Sequence, residues 1–212
     1  MAGPRGVNYY SRNPNPRLAK DAGRSFLPGS WFSARITSAE RRCSSKGETV
    51  DIYLIRHADA LALGERGITE DADRPLSDKG EAQCRTAAKA LHRCGVKIDR
   101  MCASPLLRAQ QTADLMVKAW SHSGLSVEAC EALTPGTKPR KLTKFLLKQD
   151  GEQIGLVGHM PHLSEIAGWL IGSKKAQIDI AKAGIACLAC GDAPGKGMAV
   201  LRWLVTPDWY AD

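Results

Sequence analysis

Three short stretches of this 212-residue chain place arginine or histidine where a phosphate group could be held: Arg56-His57, Ser104-Pro105-Leu106-Leu107-Arg108-Ala109 and Gly158-His159. Brought together, two guanidiniums, two imidazoles and a helix N-terminus would offer fixed positive charge and directed N–H donors to a phosphate dianion. A neutral imidazole is also a competent nucleophile toward phosphorus. Either histidine alone would be ordinary, because a lone histidine after a strand is usually a hydrogen-bonded loop residue. The chemistry therefore depends on the elements that deliver the set to one place.

Each stretch follows a short apolar run. Val50 to Ile55 is almost wholly apolar and rich in β-branched residues, which predicts a strand buried on both faces of a parallel sheet. Ile98 to Ala103 and Ile154 to Val157 read the same way, a weaker strand is expected near Val127, and Gly184 to Ala189 and Met198 to Val205 close the chain as strands. Between them lie helical patterns. Ser77 or Asp78 caps a helix whose apolar positions Cys84, Ala87, Ala88, Leu91 and Cys94 recur at three and four, ending at Gly95. Ser104 and Pro105 suit the N-cap and first position of a second helix, through Leu106, Ala109, Ala113, Leu115, Met116 and Trp120. A third turns Leu142, Phe145 and Leu146 inward and Lys138, Arg140, Lys141, Lys144 and Lys148 to solvent or to an acidic partner. A fourth carries Leu163, Ile166, Ala167 and Leu170 on one stripe. Strands alternating with helices predict an α/β sandwich with a mainly parallel sheet. Open sheets of this kind bind ligands beyond the carboxyl ends of their strands, where the three stretches fall.

Composition narrows the class. The net charge of +8 is concentrated in residues 1–48, which carry +6 and leave +2 for the other 164 residues. That first segment is rich in Pro, Gly, Ser and Asn, lacks either apolar period, and is expected to be a poorly ordered extension, with the folded domain spanning 49–212. It reads as an inert extension, an organellar transit peptide or a nucleic-acid arm; nucleic-acid binding is not expected of the core. No apolar run approaches a membrane span, and the expected location is cytoplasmic, with organellar import through residues 1–48 as the alternative. Seven cysteines without framework spacing argue against a disulfide scaffold. Cys187 and Cys190 form a CxxC within an apolar run and are expected to pack rather than to bind metal. His162 is expected on the surface or supporting the site, Trp169 in packing, and His92 and His122 have no motif behind them. Glu65, Glu70, Asp71 and Asp73 lie in a polar loop and are expected to be solvated.

The runs LIRHADA (Leu54 to Ala60), RPLSDKG (Arg74 to Gly80), ASPLLRAQQTA (Ala103 to Ala113) and LVGHMPHLSEIAG (Leu156 to Gly168) resemble the histidine phosphatase superfamily, which includes phosphoglycerate mutases and acid phosphatases. The resemblance covers residues 50 to about 206. The short loop after the first strand, the GHMPHLS run and the closing KAGIACL and VLRWLVTP stretches look like the small SixA-type phosphohistidine phosphatases. It implies a three-layer α/β/α sandwich, phosphoglycerate mutase-like, in which His57 is the nucleophile that takes the phosphoryl group. Arg56 and Arg108 would clamp that group, and His159 would donate to a non-bridging oxygen. Arg74 and Ser104 are the expected substrate-binding residues. The chemistry implied requires no metal or other cofactor.

Ester-cleaving relatives carry a glutamate after the third strand to protonate the leaving group. Here the local run is CEALTPG, and Ala132 stands in that place. A phosphohistidine substrate avoids the need, because its imidazole leaving group can carry its own proton near neutral pH. Asp59 and Glu131 remain candidate donors. The expected activity is removal of phosphate from a phosphorylated histidine on a protein, in a histidine phosphotransfer domain of a relay, by a monomer. A small-molecule phosphomonoesterase and a non-catalytic phosphate-binding adaptor are the alternatives.

Overall fold

The computed structural model describes residues 49–120, 124–191 and 193–209; the expectations for residues 1–48 and for His122 fall outside the described residues. Six strands, β1 (Val50–Arg56), β2 (Arg100–Ala103), β3 (Val127–Ala129), β4 (Gln153–Gly158), β5 (Ile185–Cys190) and β6 (Ala199–Val205), form one sheet in the order β3-β2-β4-β1-β5-β6. The first four run parallel, as expected of strands joined by crossover helices. β5 pairs with β1 in the antiparallel sense and β6 with β5 likewise, so the sheet is mixed.

Four helices connect the strands: α1 (Asp78–Arg93), α2 (Leu107–Trp120), α3 (Pro139–Leu146) and α4 (His162–Leu170). Alternation along β1 shows how they are divided. Tyr53 and Ile55 join a core with Cys84, Leu91, Ala113 and Met116 of α1 and α2, whereas Ile52 and Leu54 join a second core with Leu142 and Leu146 of α3 and Leu163 and Ile166 of α4. This is the three-layer α/β/α sandwich, with β1 buried on both faces. The same alternation settles the CxxC, because Cys187 belongs to the first core and Cys190 to the second, on opposite faces of the sheet. Burial pushes the two thiols up to about 12 and about 11 respectively.

Several boundaries differ from the sequence expectation. α1 stops at Arg93, leaving Cys94 exposed before the left-handed Gly95 at φ 74°. α2 begins at Leu107, beyond Pro105, because Ser104 extends the pairing of β2 by donating its N–H to the Val157 carbonyl at 2.9 Å. The third helix matches its reading, with Lys138, Arg140, Lys141, Lys144 and Lys148 all exposed. Among the described residues no helix is long and apolar enough to cross a membrane.

Candidate active site

The order β2-β4-β1 sets the carboxyl ends of three parallel strands side by side, with Arg56 opposite Gly158 and Ala103 opposite Val157. His57 continues the ladder by donating its N–H to the Gly158 carbonyl at 3.0 Å. The two sequence-predicted histidines consequently meet, their ring centroids 5.0 Å apart and tilted by 51°. Gly158 lets α4 pack close against the end of β4, because a Cβ there would lie 2.9 Å from Leu163 Cδ2. Arg108, on the first turn of α2, is buried, and its charge acts on both imidazoles. Arg56 donates Nη1 to the Ile180 carbonyl at 2.9 Å. Arg56, His57, Arg108 and His159 are thus brought to one end of the sheet. Arg56 Nε, Arg108 Nε and both ring nitrogens of His159 are buried and meet no protein hydrogen-bond partner, which is unusual for buried polar atoms and marks them as groups available to a ligand.

Backbone geometry assigns the tautomer of His57. Its Nδ1 lies 2.8 Å from the Ala58 carbonyl oxygen, which can only accept, so Nδ1 carries the proton and Nε2 keeps its lone pair. Burial lowers the His57 pKa to about 4; the bond to Ala58 opposes this, and the charges of Arg108, Arg56 and Lys182 reinforce it. His159 falls to about 3, first through burial and then through His57 and Arg108, with Asp71 opposing. Both rings are neutral at pH 7. The site therefore offers an unprotonated imidazole nitrogen beside two permanent cations, the combination that nucleophilic attack on a phosphoryl group needs.

The RPLSDKG run explains how the loop after β1 is held. Ser77 caps α1 by accepting from Gly80 N–H at 3.1 Å, while its own N–H donates to the Asp59 carbonyl at 3.1 Å. Gly80 is packed so tightly on that carbonyl that a Cβ would stand 2.0 Å from the oxygen. From the other side, Asp59 N–H donates to Gln83 Oε1 and Ala58 N–H to Thr112 Oγ1. The residues that follow His57 are thereby tied to both α1 and α2.

The remaining expectations fare differently. Arg74 lies beside the site but is engaged by protein, donating Nε to the Leu61 carbonyl at 2.6 Å and Nη1 to Asp71 Oδ1 at 3.0 Å. Ser104 is fully buried, and its hydroxyl accepts from Leu106 N–H at a long 3.5 Å, ahead of the first residue of α2. Asp59 accepts from Lys182 Nζ at 2.6 Å and from Ser77 Oγ at 2.7 Å. Lys182 first, and Ser77 after it, hold its carboxyl below the usual carboxylate range, which makes it a poor proton donor. Glu131 is exposed at the start of a short turn after β3 and accepts from Thr134 at 3.4 Å. His162 takes the supporting place rather than the surface one: it is only 2% exposed in the first turn of α4 and is among the groups that act on His159. One expectation is corrected. Asp71 is not simply solvated; its carboxylate pairs with both Arg74 and Arg108.

Asp71, Thr112 and Lys182 are site residues that the sequence reading did not single out. Thr112 had a signal, since it stands four residues after Arg108 and its hydroxyl reaches back to the Arg108 carbonyl at 2.7 Å. Lys182 opens the KAGIACL stretch but was given no role, because it comes from the connection before β5 and not from the end of a parallel strand. Among the described residues no group of three or more His, Cys, Asp or Glu is arranged to hold a metal ion. A groove of about 550 Å³ is lined by Met160, Pro161, Trp169 and Ile178, and none of Arg56, His57, Arg108 and His159 lines it.

Residues 52–134 match the family model of the histidine phosphatase superfamily (branch 1). An uncharacterized protein of Picosynechococcus sp. is 32% identical over 167 residues, spanning 76% of this chain and 98% of its own length. The mitochondrial serine/threonine-protein phosphatase Pgam5 of Drosophila mojavensis is 35% identical over 85 residues, which are 40% of this chain and 28% of that protein. Among solved structures, the protein histidine phosphatase SixA complexed with tungstate superposes with a TM-score of 0.66 at 22% identity, over 75% of this chain and 98% of that one. At that identity the likeness establishes the fold.

Proposed function

Because this chain belongs to the histidine phosphatase superfamily, whose relatives indicate a phosphatase, we propose that it hydrolyses phosphohistidine on a protein through a covalent intermediate at His57. The observation that carries this reading is the state of His57: Nδ1–H bound to the Ala58 carbonyl, Nε2 unprotonated, and a pKa near 4. In the first step the Nε2 lone pair forms a bond to phosphorus as the P–N bond of the substrate breaks. A substrate imidazole protonated on its other nitrogen departs neutral. His57, still carrying its Nδ1 proton, becomes a phosphorylated imidazolium, itself an activated phosphoryl donor. Water then attacks phosphorus, Nε2 leaves as a neutral imidazole nitrogen, and phosphate and one proton are released. Arg56, Arg108 and His159 stabilise the equatorial oxygens during both transfers.

Neither step asks for a protein acid, which agrees with Ala132 at the expected glutamate position and with Asp59 held as a carboxylate by Lys182. The solved SixA structure holds tungstate, an oxyanion of phosphate-like shape, and the four convergent side chains here fit the same class of ligand. The test is a panel of substrates in excess chelator: a phosphohistidine-bearing phosphotransfer domain, phosphoimidazole, and simple phosphate esters. The expected result is turnover of the two P–N substrates at least about 100-fold above the esters, the size of effect that general-acid catalysis of a poor leaving group supplies. Preferential ester hydrolysis would favour a phosphomonoesterase, and no turnover of any substrate would favour a phosphate-binding module.

A further inference from the structure

Asp71 stands in a short turn of the loop between β1 and α1, 37 positions before Arg108 in the chain, yet it takes up one whole edge of that guanidinium. Arg108 Nη1 donates to the Asp71 carbonyl oxygen at 2.6 Å and Nη2 to the Asp71 carboxylate at 3.0 Å. The other carboxylate oxygen of Asp71 receives Arg74 Nη1 at 3.0 Å, and Arg74 is itself anchored by Nε to the Leu61 carbonyl at 2.6 Å. An exposed ion pair contributes little. This one differs on the arginine side, where the Arg108 side chain is 7% exposed against 52% for Asp71. A buried guanidinium bonded through two separate acceptors of one residue has its plane fixed as well as its charge balanced.

A guanidinium has five N–H groups in a rigid plane, and an end-on fork to Asp71 uses two of them. The opposite edge, formed by Nε and the second hydrogen of Nη2, is left for another acceptor, and Arg108 Nε is buried without a protein partner. That same guanidinium acts on His57 and His159, and Asp71 is close enough to His159 to act on it too. We propose that Asp71 is a positioning residue which grips the outer end of Arg108, so that its Nε edge meets a non-bridging phosphoryl oxygen in a fixed plane. Arg74 serves as the strut that keeps the Asp71 carboxylate in place. The assignment rests on the reading of Arg108 as a phosphoryl clamp. A carboxylate beside a phosphate would weaken binding if it competed for the guanidinium; here it binds the far edge, so its removal costs affinity and rate.

The experiment is a double-mutant cycle on the full chain with Asp71→Ala, Asp71→Asn, Arg108→Ala and Asp71→Ala/Arg108→Ala, each checked for an unchanged thermal midpoint. Binding of inorganic phosphate is measured by calorimetry, and kcat and KM for the phosphohistidine domain are measured beside it. Asp71→Ala is expected to weaken phosphate binding and lower kcat/KM about 10- to 100-fold, the range for losing alignment of a charged donor. Asp71→Asn should recover part of the loss, because its carbonyl oxygen still accepts from Arg108. The double variant should be close to Arg108→Ala alone, since Asp71 acts mainly through that side chain and its field on His159 is the smaller effect. Additive losses, or tighter phosphate binding by Asp71→Ala, would overturn the assignment; the latter would make Asp71 a competitor. The phosphate arm needs no turnover, so a wild type that binds phosphate but spares phosphohistidine would refute the proposed substrate while still judging Asp71. A wild type that binds no phosphate would refute both.

Discussion

A histidine that must attack phosphorus has to be unprotonated while surrounded by the cations that hold its target. In this chain the two demands reinforce each other, because Arg56, Arg108 and Lys182 oppose protonation of His57 in addition to burial. The sign of the pH dependence follows. An unfolded histidine binds a proton near 6.5, and the folded His57 and His159 bind theirs near 4 and 3. Between those values the unfolded chain carries more protons, so stability falls as pH drops from about 6.5 toward 4. One titration checks this. Imidazole NMR resonances of His57 and His159 should stay in the neutral form until about pH 4, with unfolding free energy declining over the same window. A His57 midpoint at 6 or above would remove the electrostatic basis of the site. Arg56, His57, Arg108 and His159 were legible from sequence because each follows an apolar run. Asp71 was not, since a loop aspartate looks the same whether it faces water or a guanidinium 37 residues later.

At the scale of elements, the parallel segment β3-β2-β4-β1 does the positioning, and the α1 N-terminus keeps the loop after β1 in place. Gly80 is the point of closest approach. Gly80→Ala would put a methyl carbon 2.0 Å from the Asp59 carbonyl oxygen, so α1 or the loop after His57 must move. We expect destabilisation at the upper end of the overpacking range, about 3 kcal/mol, with loss of activity in the fraction that folds. Denaturant unfolding checks it, and a change below about 0.5 kcal/mol would show that the contact yields freely. The strands and helices themselves were readable, since buried parallel strands and amphipathic helices carry distinct apolar patterns. Their ends were less so. Whether Ser104 extends a strand or caps a helix depends on Val157, 53 residues away, whose carbonyl accepts its N–H. The antiparallel sense of β5 was equally hidden, because a buried strand has the same composition in either direction.

Across the whole molecule, two hydrophobic cores on opposite faces of one sheet hold the strands so that the chemistry falls at one end. The expected three-layer sandwich follows from that arrangement, whereas the substrate depends on the site alone, because one fold serves many chemistries. The proposed covalent route puts the phosphoryl group on His57, and a rapid alkaline quench during turnover of a labelled phosphohistidine substrate, with the label mapped by mass spectrometry and His57→Ala run in parallel, tests it. The expected result is label on His57 and a loss of at least about 10³-fold in turnover for the variant, as for removal of a nucleophile. Turnover by His57→Ala within tenfold of wild type, or label on another residue of the chain, would contradict it.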